Sequence, residues 1–192
     1  DIAEHNFWIK QQADLSGGYV PIETNHIFDM EYWVLQQKKL KKSVTPSLLQ
    51  GQVALVTGAG GAIGFGIADR LLASGARVVL ADIDQPLLEK VHHLLTEKYQ
   101  KDLVESLVFD VTNFSEVENA FTEMENRVGG LDLLVPNAGV AHVATIEQLD
   151  PQKFQQVLSV NLMGTFNVIK AAIPIFRRQG YGGNIVVISS KN

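Results

Sequence analysis

Gln52-Val-Ala-Leu-Val-Thr-Gly-Ala-Gly-Gly-Ala-Ile-Gly64 is the stretch that decides the fold of this chain. Its apolar run, Val53-Ala54-Leu55-Val56, reads as a buried parallel strand. The run breaks into glycines and then into a helical pattern carrying Ile63, Ile67 and Leu71. Strand, glycine turn and helix start together suit a pyrophosphate. Glycine lets the backbone come close to the phosphates, and the helix N-terminus offers unpaired N–H groups and a partial positive charge.

Spacing separates this loop from other glycine loops. The common dinucleotide fingerprint needs glycine at its first, third and sixth positions; counted from Gly58, the sixth residue is Ile63, so the pattern fails. No Gly-Lys-Ser/Thr follows, which excludes a phosphate loop of the ATPase type. What fits is Thr-Gly-x-x-x-Gly/Ala-x-Gly, from Thr57 and Gly58 through Ala62 to Gly64, and here the chain resembles the short-chain dehydrogenase/reductase family. The resemblance implies a nicotinamide cofactor held by Thr57, Gly58, Gly60, Gly61, Ala62, Ile63 and Gly64. The same residues also satisfy Thr-Gly-x-x-Gly-x-x-Gly, on Gly58, Gly61 and Gly64, the mark of the extended, epimerase-like branch. The loop alone leaves the branch open.

A chain of 192 residues predicts one domain, or one plus a fragment. The net charge of −5 argues against a nucleic-acid surface, and the absence of cysteine removes disulfide and thiolate chemistry. No uninterrupted apolar run approaches the ~20 residues of a membrane span, and no signal-peptide pattern opens the chain. His5 and His26 stand alone, without the spacing of a metal cluster. The expectation is a cytoplasmic protein that takes a small-molecule substrate and has no nucleic-acid, membrane or metal partner.

Residues 1–50 read differently from the rest, as a helical extension and linker ahead of a cofactor-binding domain over 51–192. A start at Asp1 predicts a processed or truncated chain. Helices are expected over Asp1–Asp14 and His26–Lys42, the second ending in Lys38, Lys39, Lys41 and Lys42, which suit the negative end of the helix dipole. Ser43 to Gln50, with Pro46, reads as linker. The words Gly17 to Trp33 resemble the tail of the aldolase half of bifunctional aldolase/short-chain dehydrogenases of the rhamnulose-phosphate aldolase/lactaldehyde dehydrogenase type.

Downstream of the loop, Arg77 to Leu80 forms a second strand ending at Ala81-Asp82. A carboxylate at that place accepts from the ribose hydroxyls of an adenosine and repels a 2′-phosphate. No Arg or Lys lies in the glycine loop or directly after Asp82, so Asp82 and its neighbour Ile83 are assigned to NAD rather than NADP. Asp84-Gln85-Pro86 starts a helix whose apolar stripe is Leu87, Leu88, Val91, Leu94, Leu95 and Tyr99, with His92 and His93 as surface residues beside it. Leu103 to Phe109 is the third strand, and the family resemblance puts the following Asp110 and Val111 beside the adenine. Ser115-x-x-Glu118 reads as a capping box for a helix bearing Val117, Phe121, Met124 and Val128.

Leu131 to Val135 is the fourth strand, and Asn137-Ala138-Gly139 after it resembles the Asn-Asn-Ala-Gly signature of the family's classical branch, with Pro136 in place of the first Asn. The resemblance implies that the small residues leave room for the cofactor's ribose and that Asn137 steadies the central strands. Pro136 removes a backbone donor and a side-chain amide. His142 is expected to face the substrate region. In the long helical segment Pro151 to Arg178, apolar positions 154, 157, 158, 162, 165 and 169 share a stripe with Asn161. A buried amide must find partners. In Val160-Asn161-Leu162-Met163-Gly164-Thr165-Phe166, Asn161 matches the family's active-site asparagine, implied to hold a water in the proton relay and to kink the helix. Pro174 is expected to kink or end that helix. Gly183 to Ser190 is the fifth strand, and Ser190 matches the catalytic serine that binds the reacting oxygen.

The resemblance implies hydride transfer assisted by a Tyr-x-x-x-Lys pair. None of Tyr19, Tyr32, Tyr99 and Tyr181 begins such a motif, so NAD binding without turnover is expected of these 192 residues. The fifth strand would be a bare sheet edge, which a second copy would cover in a homo-oligomer. The expected fold is a Rossmann-like, doubly wound α/β parallel sheet of order 3-2-1-4-5, truncated, with a short helical N-terminal extension. The expected function is that of an NAD-dependent short-chain oxidoreductase acting between an alcohol and an aldehyde, or on a sugar or sugar phosphate. The rivals are an extended-branch nucleotide-sugar epimerase or dehydratase, against which Asn137-Ala138-Gly139 and Asn161 speak, and a module that binds NAD without catalysis.

Overall fold

The computed structural model describes residues 47–190, which fall within one compact unit, Ser47–Asn192. The helices expected over 1–42 lie outside the described residues.

The strand expected at the opening motif is β1, Val53–Thr57, with every residue buried. Helix α1 (Ala62–Ala73) follows, then β2 (Arg77–Asp82), α2 (Gln85–Lys98), a 3₁₀ turn at Lys101–Leu103, β3 (Val104–Val108), α3 (Phe114–Val128) and β4 (Leu133–Val135). The chain continues through α4 (Pro151–Leu158), a π-helical segment at Ser159–Gly164, α5 (Thr165–Arg178) and β5 (Asn184–Ile185). The five strands lie parallel in the order β3-β2-β1-β4-β5, as expected. The chain winds from β1 outward to β3 and then crosses back to β4, on the other side of β1. The carboxyl ends of β1 and β4 are therefore the point at which the winding reverses, where open parallel sheets leave a crevice.

Alternation along the strands divides the core into two layers. Val53 and Leu55 face Val79, Ala81 and Leu134, and that layer is closed by α3 through Val117, Phe121 and Met124 and by α5 through Val168, Ala172 and Ile175. Ala54 and Val56 face the other way with Val78, Leu80 and Val135, under Ala68 and Leu72 of α1 and Leu88, Val91 and Leu95 of α2. The buried residues of α1 are Gly64, Ala68 and Leu72, whereas Ile63 is 66% exposed, so the expected Ile63-Ile67-Leu71 stripe is rotated by one position. Small residues meet the sheet because α1 must pack close beneath a glycine turn. Tyr99 fastens α2 to α1: its hydroxyl donates to the Asp69 carboxylate at 2.9 Å, and Lys98 bonds the same oxygen at 2.6 Å. The Lys98 hydrogen bond holds the Asp69 carboxyl below its usual value, against the opposing effect of burial.

One local expectation is corrected and another narrowed. Helix α3 begins before Ser115: Asn113 is the cap, its Oδ1 accepting from Glu116 N, and Glu116 returns the bond by accepting from Asn113 Nδ2 at 2.8 Å. The reciprocal cap is thus Asn113 with Glu116, two residues ahead of Ser115 and Glu118. Asn wins because it can both accept from the helix and donate to the glutamate. Pro174 sits inside α5, which runs on to Arg178, so it does not end the helix.

The Pro151–Arg178 helix, 28 residues in all, is long and apolar enough to cross a membrane by length and composition alone, which a search for uninterrupted apolar runs does not reveal. Its buried residues, Val168, Ala172, Ile175 and Phe176, pack it onto the sheet as a layer helix. The stripe expected around Asn161 is not the buried one: Phe154, Leu158 and Leu162 are exposed.

Replacing Asn113 by Ala is expected to lower stability by about 1 kcal/mol, while Ser115→Ala changes it by less than ~0.5 kcal/mol. Urea denaturation of the two variants checks the position of the cap; equal losses would put it elsewhere.

Candidate functional site: a cavity at the carboxyl ends of β1, β2 and β4

Glycine 58 leaves β1 with φ +64°, the left-handed region that side chains resist, and a Cβ there would lie 2.8 Å from the Ala138 Cα. The backbone turn and the loop after β4 therefore touch with no room for a side chain between them. At the start of α1, a Cβ on Gly64 would lie 2.2 Å from the Gly58 carbonyl oxygen, so the helix can close onto its own turn only as glycine. Gly61 caps α1 with no side-chain bond, and no acidic residue occupies the first turn. By contrast, α2, α3 and α4 are capped by the side chains of Asp84, Asn113 and Asp150. The orphan donors of α1 remain for whatever enters the space before them.

That space is a cavity of ≈ 700 Å³. One wall is the glycine turn, with Gly58, Gly61, Ala62, Ile63 and Gly64. A second is the end of β2, where Asp82 and Ile83 stand beside it. The Asp82 carboxylate is held by two backbone amides, Gly60 N at 2.9 Å on Oδ2 and Asp84 N at 3.0 Å on Oδ1. Each oxygen keeps a lone pair for a ligand hydroxyl. Asp110, Val111 and Thr112 form a third wall, and Asn137, Ala138 and Gly139 a fourth. None of the described residues lining the cavity is Lys or Arg.

Thr57 and Gly60, assigned from the motif, shape the cavity from behind rather than line it. The Thr57 hydroxyl oxygen, buried at the end of β1, accepts from both Asn137 N and Ala138 N at 3.0 Å. Asn137 answers by donating its side-chain amide to the carbonyls of Thr57 at 2.9 Å and Gly58 at 3.1 Å. Four hydrogen bonds thus lock the two central strand ends together. Pro136 follows the last residue of β4, Val135: its carbonyl accepts from Ile188 N at 3.0 Å, but it has no N–H to give the neighbouring chain in return.

Asn161 lies in the π-helical segment and binds both backbone groups of one residue, accepting from Val140 N and donating to Val140 O, each at 2.9 Å. The amide does find its partners, and the helix departs from α geometry there, since the π-turn widens the hydrogen-bonded ring. The fifth strand, expected over Gly183 to Ser190, is regular only at Asn184–Ile185, so Ser190 lies exposed beyond it, two residues past Ile188, whose N–H donates to Pro136 O. His142 is exposed and is not among the lining residues.

Several residues escaped the sequence reading. Gln156, Ser159 and Val160 line the cavity from α4 and the π segment. Their helix has no motif on that face. Asn167, buried within α5, donates to Val111 O at 2.9 Å. A lone Asn six residues after another carries no spacing signal for this.

Residues 52–192 match the family model described as short chain dehydrogenase, and residues 1–40 match the one described as aldolase class II, second domain. An uncharacterized oxidoreductase of Bacillus subtilis is 30% identical over 186 residues, 96% of this chain and 27% of its own length. The D-beta-hydroxybutyrate dehydrogenase of Cupriavidus necator is 32% identical over 143 residues, 74% of this chain and 55% of its own. Among solved structures, an NAD+-bound xylitol dehydrogenase aligns with a TM-score of 0.70 and 35% identity, over 74% of this chain and 54% of its own. A 3-ketoacyl-(acyl-carrier-protein) reductase from Brucella melitensis, complexed with NADH, aligns with a TM-score of 0.68 and 31% identity, over 74% and 58%. This chain thus spans little more than half the length of these dehydrogenases and 27% of the Bacillus relative.

Thr57→Val keeps the side-chain shape but strips two buried amides of their acceptor, and is expected to cost about 1–3 kcal/mol. Thr57→Ser, which keeps the oxygen, should recover most of that. Chemical denaturation of both variants measures the difference.

Proposed function

This chain belongs to the short-chain dehydrogenase family, and we propose that its cavity binds NAD as the cofactor half of an oxidoreductase acting between an alcohol and an aldehyde, or on a sugar or sugar phosphate. The observation that carries the reading is the N-terminus of α1, without a side-chain cap, set behind a glycine turn and facing a cavity whose adjoining wall bears the Asp82 carboxylate, fixed by Gly60 N. The residues fit the group. The first-turn amides of α1 would take the pyrophosphate, Asp82 the adenosine ribose, Asp110 and Val111 the adenine, and Ala138 and Gly139 the other ribose. When bound, the nicotinamide supplies hydride acceptance or donation.

NAD is preferred to NADP because a carboxylate faces the 2′ position and no lining cation would offset a phosphate there. Asn161 would hold the loop after β4 and a water of the proton relay, and Ser190 would bind the reacting oxygen. The chain holds no Tyr-x-x-x-Lys, so these residues bind and orient without supplying the proton. The match of residues 1–40 to an aldolase domain, and the Bacillus relative aligned along 96% of this chain, support a parent that is a bifunctional aldolase/dehydrogenase. With it come a domain boundary near residue 50, a homo-oligomer, a cytoplasmic setting, and no nucleic-acid or membrane partner.

Calorimetric titration of the 192-residue chain should give saturable NADH binding, with NADPH weaker by about tenfold or more. Asp82→Ser should narrow that gap, mainly by improving NADPH. Equal affinities in the unmodified chain would overturn the NAD assignment. Alcohol oxidation should stay about 10²–10⁴-fold below that of a complete enzyme of the family, for want of the general acid/base.

A further inference from the structure

Thr57 and Asn167 are the buried polar side chains among the described residues. A buried amide or hydroxyl is kept only where its hydrogen bonds are satisfied, so each marks a place where backbone is being held. Thr57 holds the wall of the cavity that follows β4. Asn167 holds the wall that follows β3: its Nδ2 donates to Val111 O at 2.9 Å and to Thr112 O at 3.4 Å.

This second wall needs such a hold. Past β3 the chain keeps one bond along the sheet, Phe109 N to Asp82 O at 3.3 Å, and then leaves it. The loop's own bonds, Thr112 N to Asp110 Oδ1 at 2.8 Å and Asp110 N to Glu116 Oε2 at 3.0 Å, fix its shape and tie it to α3. They do not set its distance from the glycine turn. That distance is set by the helix bearing Asn167. Val111 seats directly on Gly164, where a Cβ would lie 2.6 Å from its Cγ2. Asn161, on the same helix, grips Val140 on the opposite wall. One helix therefore spans the mouth of the cavity and holds a loop on each side.

We propose that Asn167 is a positioning residue for the cofactor, acting through the Val111 and Thr112 carbonyls to hold the adenine-side wall in place. The inference rests on the NAD-binding reading above. Leucine at this position fills the volume but leaves two carbonyls without their donor; aspartate sets an acceptor against acceptors.

The test uses the full 192-residue chain and two ligands, NADH and ADP-ribose, the second lacking the nicotinamide. Asn167→Leu and Asn167→Asp are expected to weaken ADP-ribose by about tenfold, the worth of a buried bond to a wall that the ligand touches. Val168→Ala removes packing from the buried face of the same helix, and at a matched loss of melting temperature should keep the affinity of the unmodified chain. Should Asn167→Leu fail to fold, Gly164→Ala displaces Val111 from the helix side and carries the same expectation. Affinity retained in Asn167→Leu or in Gly164→Ala overturns the proposal, as does an equal loss in Val168→Ala, which would mean stability alone. If the unmodified chain binds neither ligand, it is the NAD-binding reading that fails, and the inference falls with it.

Discussion

The four hydrogen bonds between Thr57-Gly58 and Asn137-Ala138 are the constraint on which the rest of this structure depends. A parallel sheet whose winding reverses at β1 has two neighbouring strands whose loops leave in opposite directions. Nothing in the ladder itself holds those loops together. The threonine hydroxyl and the asparagine amide do so, and they can because Gly58 brings its backbone within contact of Ala138. The crevice that results has a floor of backbone rather than of side chains. This gives a phosphate room to approach the amides of α1.

The helix from Pro151 to Arg178 has a matching task on the other side of the cavity. Three side-chain amides on or beside it grip backbone elsewhere: Asn161 at Val140, Asn167 at Val111 and Thr112, and Gln179 at Leu131, through Nε2 to the carbonyl at 2.7 Å. An amide can both donate and accept, so it can clasp a strand end that has run out of ladder partners. The π-turn at Ser159–Gly164 has a use in this arrangement. It carries Asn161 and brings Ser159 and Val160 to the cavity, while α5 beyond it keeps its buried face of Val168, Ala172 and Ile175 on the sheet.

The glycine turn and Asp82 could be found in the sequence because each depends on residue type at a local strand-to-loop junction, whereas Asp110, Val111 and Asn137-Ala138-Gly139 came from the resemblance to a family. The cap of α3 was misplaced by two residues because Asn113-x-x-Glu116 and Ser115-x-x-Glu118 are equivalent as strings, and only the exit of β3 decides between them. The apolar stripe near Asn161 failed for a different reason. Its first half, Phe154 and Leu158, lies in α4, which buries no residue, and the π segment shifts the phase before α5 reaches the sheet. Ile63 likewise fits a helical stripe, yet it faces the cavity.

The sequence by itself determined the order of strands and helices, the place of the winding reversal and the residue types at the glycine turn. The elements and the turn follow from short-range rules, alternation along strands, glycine where φ is positive, a cap where amides are orphaned, and the place of the winding reversal from the resemblance to a doubly wound fold. The family resemblance pointed to Asn137 as steadying the central strands, but only the tertiary structure decided which groups the polar side chains around the cavity hold. Thr57 to Asn137, Asn161 to Val140 and Asn167 to Val111 join residues 80, 21 and 56 positions apart. A hydrogen bond between groups so far apart in the chain leaves no local pattern; it exists because the sheet and one long helix bring the partners within about 3 Å of each other.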